Sequence, residues 1–246
     1  MIILAIETSC DDTAVSLIEA TGGFKKPQFE VLSHNVSSQT QIHEKWGGVV
    51  PNLAKREHGR NLIPLLLNSL KEADLLQNNS SPAKKPIPDK KIGEILAREP
   101  ELLELFNQTI PSLKIPKIDA IAVTKGPGLE PALWVGINFA RALSLAWTKL
   151  LIPVNHLEGH LYASIVNENV KIKNKNLKSK QSRLRFPAIA LIVSGGHTEL
   201  VLVRDWLKYK QIGSTRDDAV GEAFDKVARI LGLPYPGGPQ ISKLAK

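Results

Sequence analysis

The sequence is poor in the features that mark secreted and membrane proteins. It holds a single cysteine, Cys10, in 246 residues, which excludes an internal disulfide and agrees with a reducing compartment. No apolar run approaches the ~20 residues that a membrane-spanning helix needs. The start, MIILAIETSCDD, has neither the basic lead nor the cleavage site of a secretion signal. A cytosolic protein with no membrane partner is therefore expected. Apolar residues make up 43% and charged residues 23%, which excludes a wholly disordered or fibrous chain and predicts a globular one. The length leaves room for two lobes.

Acid is missing from one stretch. Residues 171–185 (KIKNKNLKSKQSRLR) carry seven basic residues and no acidic one, and supply much of the formal net charge of +8. Such a run is usually a solvated loop; contact with a polyanion is the other reading.

Against these absences stands a repeated plan. Residues 2–6 (IILAI), 7–13 (ETSCDDT) and 14–18 (AVSLI) read as strand, polar turn and strand. Residues 188–193 (AIALIV), 194–198 (SGGHT) and 199–203 (ELVLV) repeat it. Two such hairpins suggest a duplicated lobe with a ligand held between the turns. Small polar turns suit phosphates because bare backbone amides reach the oxygens, although either turn alone is also an ordinary hairpin turn.

Between the hairpins, Leu62, Leu65, Leu66 and Leu70 predict a helix over 59–72. Residues 77–91 read as a Pro-rich linker, and 92–106 as a short amphipathic pattern broken by Pro100. We treat 77–116 as an insertion. A strand at 118–123, a Lys125-Gly126-Pro127-Gly128 turn and a helix over 132–147 follow. A helix start behind a glycine turn has anion-site geometry, and equally the geometry of a cap without ligand.

The sharpest local pattern is Asn155-His156-Leu157-Glu158-Gly159-His160. On a helix, positions i and i+4 share a face, so His156 and His160 can reach one metal ion, with a third ligand still needed. Surface or capping histidines are the alternative. A metalloprotease would place glutamate directly after the first histidine; Glu158 lies two residues on, roughly 200° around the helix, and cannot serve as its base.

Seven segments, in order, resemble the tRNA adenosine threonylcarbamoyltransferase (TsaD) family: ETSCDDT (7–13), HEKWGGVVPNLAKREH (43–58), TKGPGL (124–129), NHLEGH (155–160), SGGHTEL (194–200), DDAVGEAFDKVARILGL (217–233) and YPGGP (235–239). The resemblance implies an α/β, two-lobed actin-like ATPase fold of the sugar-kinase and Hsp70 type, with lobes at 1–150 and 151–246. It implies transfer of threonylcarbamoyl from threonylcarbamoyl-AMP to the exocyclic amine of the adenosine next to the tRNA anticodon. The family's metal histidines fall on His156 and His160, holding one divalent ion, iron or zinc. Its adenylate loop falls on Ile192, Val193, Ser194, Gly195 and Gly196. Its ribose carboxylate falls on Asp225 and a further nucleotide contact on Gly238. Asp11 matches a position implicated in activity, as acceptor of the amine proton or as a turn cap. Cys10 is read as a small packed residue, since nothing indicates a lowered thiol pKa.

Partners implied are tRNA, a scaffold paralogue (TsaB-like) and a small ATPase (TsaE-like). The scaffold paralogue lacks the histidine pair, which favours the catalytic branch over a scaffold; a small-molecule kinase of the same superfamily would leave the pair unexplained, and a plain tRNA-binding module rests on charge alone. Family members continue beyond Ile241–Lys246, where an asparagine that contacts the nucleotide and an aspartate third metal ligand would follow. The second lobe is therefore expected to be incomplete with an apolar face exposed, and residues 1–246 alone to transfer poorly and dissolve poorly.

Overall fold

The computed structural model describes residues 1–23, 28–78, 89–166, 170–172 and 186–246. In chain order these form β1 (Ile2–Glu7), β2 (Asp12–Thr21), β3 (Gln28–Ser38), α1 (Thr40–Glu44), α2 (Pro51–Glu72), α3 (Asp89–Ile95), α4 (Pro100–Thr109), β4 (Ala120–Gly126), α5 (Glu130–Trp147), β5 (Leu150–Asn155), α6 (His156–Val166), β6 (Val170–Ile172), β7 (Ala188–Val193), β8 (Thr198–Asp205), β9 (Lys208–Ser214), α7 (Val220–Ile230) and α8 (Gly237–Leu244). The fold is mixed α/β, in two compact units.

The first unit takes Met1–Gln39, Val50–His156 and β6. Its six-stranded sheet runs β5-β4-β1-β2-β3-β6. β1 and β2 form the expected antiparallel hairpin, while β1, β4 and β5 lie parallel to one another. Parallel neighbours need crossovers, and α5 supplies the one from β4 to β5. Alternation along β1 and β2 turns Leu4, Ile6, Val15 and Leu17 to one face, where they pack with Leu62, Leu66 and Leu70 of α2 and Val135, Phe139 and Leu143 of α5. The Phe106 and Phe139 rings meet edge to face, 6.2 Å between centroids.

Two sequence expectations change here. α2 begins at Pro51, eight residues before the expected start, because proline at the first turn has no amide to leave unbonded. Pro100 likewise begins α4 instead of breaking a helix. In its described part the segment read as an insertion packs into the main core through Ile92, Leu96, Leu102, Phe106, Ile110 and Leu113. Its amphipathic stripe was visible in the sequence; that the stripe completes the unit's own core was not.

The second unit takes Thr40–Val49, α6 from Leu157 onward and the chain from Phe186 to Lys246. β7, β8 and β9 form an antiparallel sheet in that order, again starting with the expected hairpin. Its core is small: Leu161, Ile192, Val201 and Val203, with Tyr162 stacked on Trp206 at 5.8 Å. The other face of β7 is apolar and exposed, with Ile189 at 67%, Leu191 at 62% and Val193 at 50%. The basic stretch lies outside the described residues apart from β6. Among the described residues no helix is long and apolar enough to cross a membrane.

Candidate functional site

In the first unit, polar residues gather where the parallel strands end. Glu7 ends β1, Thr124 lies near the end of β4, and His156 follows the last residue of β5. The Thr124 hydroxyl donates to Glu7 Oε2 at 2.5 Å, the Ser9 amide donates to Glu7 Oε1, and His156 Nδ1 lies 3.3 Å from Oε2 and 3.2 Å from Ser9 Oγ. Burial alone would raise the Glu7 pKa, but the hydrogen bonds from His156, Ser9 and Thr124 outweigh it and hold the carboxyl at about 2.

The acidic turn between β1 and β2 is fixed from two sides. His58, buried on α2, lies 3.0 Å through Nε2 from the Cys10 carbonyl, which can only accept, so Nε2 carries the proton. Nδ1 then accepts from the Thr13 hydroxyl at 2.7 Å and the Gln39 amide at 3.3 Å. Burial pushes the His58 pKa down. On the other side, a Cβ on Gly128 would lie 2.5 Å from the Ser9 carbonyl oxygen, and the Leu129 amide donates to that oxygen at 2.8 Å. The Gly-Pro-Gly turn thus makes room for the β1–β2 turn. Asp11 sits in this frame, its carbonyl accepting from the Gln39 amide at 2.9 Å. Cys10 is exposed and not packed, which corrects the sequence reading; desolvation and the Asp11 and Asp12 carboxylates push its thiol up to about 12, so a thiolate nucleophile is disfavoured.

His156 and His160 stand one turn apart on α6, as their spacing predicts. Among the described residues, no group of three His, Cys, Asp or Glu side chains is placed to hold a metal ion. The donor chemistry of the first histidine nonetheless suits a ligand, because its Nδ1 faces a carboxylate. Glu158 accepts a 2.5 Å hydrogen bond from Tyr209, whose own pKa that bond raises to about 12. The bond ties Glu158 to β9.

The second unit brings the nucleotide candidates together. The Ser194–Gly196 turn lies against the start of α7, where the Gly221 amide donates to the Ser194 carbonyl at 3.1 Å; a Cβ on Gly221 would sit 2.6 Å from that oxygen. One turn along α7, Asp225 accepts from the Gly237 amide at 2.7 Å. Gly237 is packed so tightly that a Cβ would lie 2.9 Å from the Asp225 Cα, whereas Gly195, Gly196 and Gly238 face open space. Ser194 Oγ accepts from the His197 amide at 2.9 Å. The Ile192 side chain is buried in the small core, so only its backbone can serve a ligand, while Val193 is exposed.

Sequence reasoning missed Glu7, Thr124 and His58. All three lie inside segments that carry the resemblance (7–13, 124–129 and 43–58), but the sequence alone assigns none of them a role.

YeaZ from Pseudomonas aeruginosa aligns with a TM-score of 0.41 and 13% identity over 90% of this chain and 70% of its own. The Aquifex aeolicus Ppx/GppA family member gives 0.37 and 10% over 87% and 51%. Likenesses this distant leave the fold class at mixed α/β. Sequence is far closer. The tRNA N6-adenosine threonylcarbamoyltransferase of Persephonella marina is 44% identical over 246 residues, all of this chain. That of Staphylococcus aureus strain Newman is 43% identical over 245 residues. The chain spans about half, 54%, of the length of each. The family model for tRNA N6-adenosine threonylcarbamoyltransferase matches residues 30–80 and 99–246. The chain belongs to the tRNA N6-adenosine threonylcarbamoyltransferase family.

Proposed function

We propose that this chain serves in moving a threonylcarbamoyl group from threonylcarbamoyl-AMP to the exocyclic amine of the adenosine next to the anticodon of tRNAs that read codons starting with adenine. The observation that carries this reading is 44% identity to a threonylcarbamoyltransferase along the whole chain. Its two units, each with its own strand-turn-strand hairpin, belong in this proposal to a two-lobed actin-like ATPase fold.

Roles divide between the units. In the second, the Ser194-Gly195-Gly196 turn and Gly238 let backbone approach the adenylate, with the backbone of Ile192 and Val193 leading into the turn. The Asp225 carboxylate accepts from ribose hydroxyls. His156 and His160, one turn apart on α6, hold a divalent iron or zinc ion. Such an ion, when bound, supplies Lewis-acid polarisation of the mixed anhydride. Asp11 stands as base: the amine nitrogen forms the new bond to the carbamoyl carbon, the carbon–oxygen bond to the phosphate breaks, AMP departs with the electron pair, and Asp11 takes the amine proton. The frame around Ser9–Asp12 supports this role, since a base must be held to within a fraction of an ångström. Partners in this reading are tRNA, a TsaB-like scaffold paralogue and a TsaE-like ATPase.

The test is a chimera carrying this chain in place of the matching segment of the Persephonella marina relative. Given threonylcarbamoyl-AMP, the partner proteins and tRNA, it should form threonylcarbamoyladenosine, and the double variant His156→Ala, His160→Ala should not. Equal modification by the double variant would remove the metal role.

A further inference from the structure

We propose that Glu7 is the positioning residue for His156: its carboxylate accepts a hydrogen bond from Nδ1–H of that imidazole and so presents Nε2 as the ligating nitrogen. The inference rests on the metal reading above, but the geometry that carries it stands within the first unit alone.

A carboxylate is acceptor-only, so a ring nitrogen 3.3 Å from Glu7 Oε2 meets it as a donor. A neutral imidazole protonated at Nδ1 has its lone pair at Nε2, the reverse of the tautomer that an unconstrained histidine prefers. The carboxylate is itself held at both oxygens: Oε1 accepts from the Ser9 amide and Oε2 from the Thr124 hydroxyl at 2.5 Å. The Glu7 side chain is 32% and that of His156 23% exposed, so neither is a freely rotating surface group. The parallel ladder explains the meeting. In the order β5-β4-β1, Glu7, Thr124 and His156 come from the same ends of three adjacent strands, the edge where α/β sheets place their sites. A carboxylate behind a ligating histidine fixes its orientation and makes it a better donor, and losing such a partner costs 10–100-fold in metal affinity.

An ion pair that merely ties α6 to the sheet would do none of this, and the tautomer separates the two. In the metal-free chain, long-range nitrogen–proton NMR of labelled histidine should show His156 protonated at Nδ1. In Glu7→Gln, where the Ser9 amide retains the carbonyl oxygen and turns the amide N–H₂ toward the ring, His156 should switch to the Nε2-protonated form; Ser9→Ala should not switch it. Zinc competition against a chelator should show roughly 10–100-fold weaker binding for Glu7→Gln than for the wild-type chain. Nε2 protonation in the wild-type chain, or an unchanged tautomer in Glu7→Gln, would overturn the inference. If the chain binds no zinc, or His156→Ala binds it as tightly as wild type, the metal reading fails instead, and the tautomer still decides the role of Glu7.

Discussion

The two units differ in how much covers their sheets. The first packs α2 and α5 on one face of its sheet, with α4 against α2, and buries whole side chains such as Leu4, Phe106 and Phe139. The second rests three strands on a core cluster of four buried residues among those described, and leaves Ile189, Leu191 and Val193 exposed. The polar sites differ in the same way. Around Glu7 and His58, position comes largely from side-chain hydrogen bonds that link separate elements of the unit. Around Ser194 and Asp225, it comes from glycines packed against backbone. A deep core lets the first unit carry polar residues that need exact placement; the second can offer a ligand bare backbone with little beneath it.

Core truncation should expose the difference most strongly. Phe139→Ala in the first unit should cost about 3–5 kcal/mol, the usual toll for a buried phenylalanine. Val203→Ala in the second should cost about 1.5 kcal/mol, from roughly 0.8 kcal/mol per buried carbon. Hydrogen exchange followed by mass spectrometry, which reads each unit separately, checks both. Equal costs would mean that the second core is deeper than its four buried residues suggest.

Next come the glycines. Gly237→Ala should destabilise the second unit by about 1–3 kcal/mol, because its Cβ would press on the Phe224 carbonyl and Asp225 backbone. Gly195→Ala, facing open space, should leave stability within about 0.5 kcal/mol yet weaken adenylate binding. Calorimetry with and without AMP tests the pair, and an unstable Gly195→Ala would contradict the open turn.

The smallest effect is one of pH in the first unit. His58 has a lowered pKa in the fold, so below the ordinary histidine value of about 6.5 the unfolded chain binds the proton that the folded chain resists. Stability should be complete above pH 6.5 and decline as pH falls toward the folded value. His58→Gln, less stable at pH 7.5, should lose that decline, so the two melting curves converge by pH 5.5. A constant gap would show that the fold does not lower the His58 pKa.

These regions were legible in the sequence to different degrees. Both hairpins could be read because alternation is local: IILAI and AIALIV announce strands, and ETSCDDT and SGGHT announce turns. His156 and His160 were legible because a four-residue spacing is a property of one helix. Pro100 was misread because a proline can open a helix as readily as end one, and the sequence around it fits both. The stripe of Leu102 and Phe106 showed a buried face without showing what it would bury against. Glu7 and His156 lie 149 residues apart, and no periodicity links them; only the order of three parallel strands does. The Asp225 bond to the Gly237 amide spans 12 residues and was equally hidden, although both segments were picked out by resemblance.

The most direct test of the division between the units is steady-state kinetics in the chimera, with threonylcarbamoyl-AMP varied at saturating tRNA. Asp11→Asn should lower kcat by roughly 10²–10⁴-fold, the range for loss of a general base, with KM for the adenylate little changed. Asp225→Asn should raise that KM by roughly tenfold or more, as loss of a charge-assisted hydrogen bond of about 1.5–3 kcal/mol requires, with kcat largely kept. The reverse pattern, with KM moved by Asp11 and kcat by Asp225, would contradict a first unit that performs transfer and a second that holds the nucleotide.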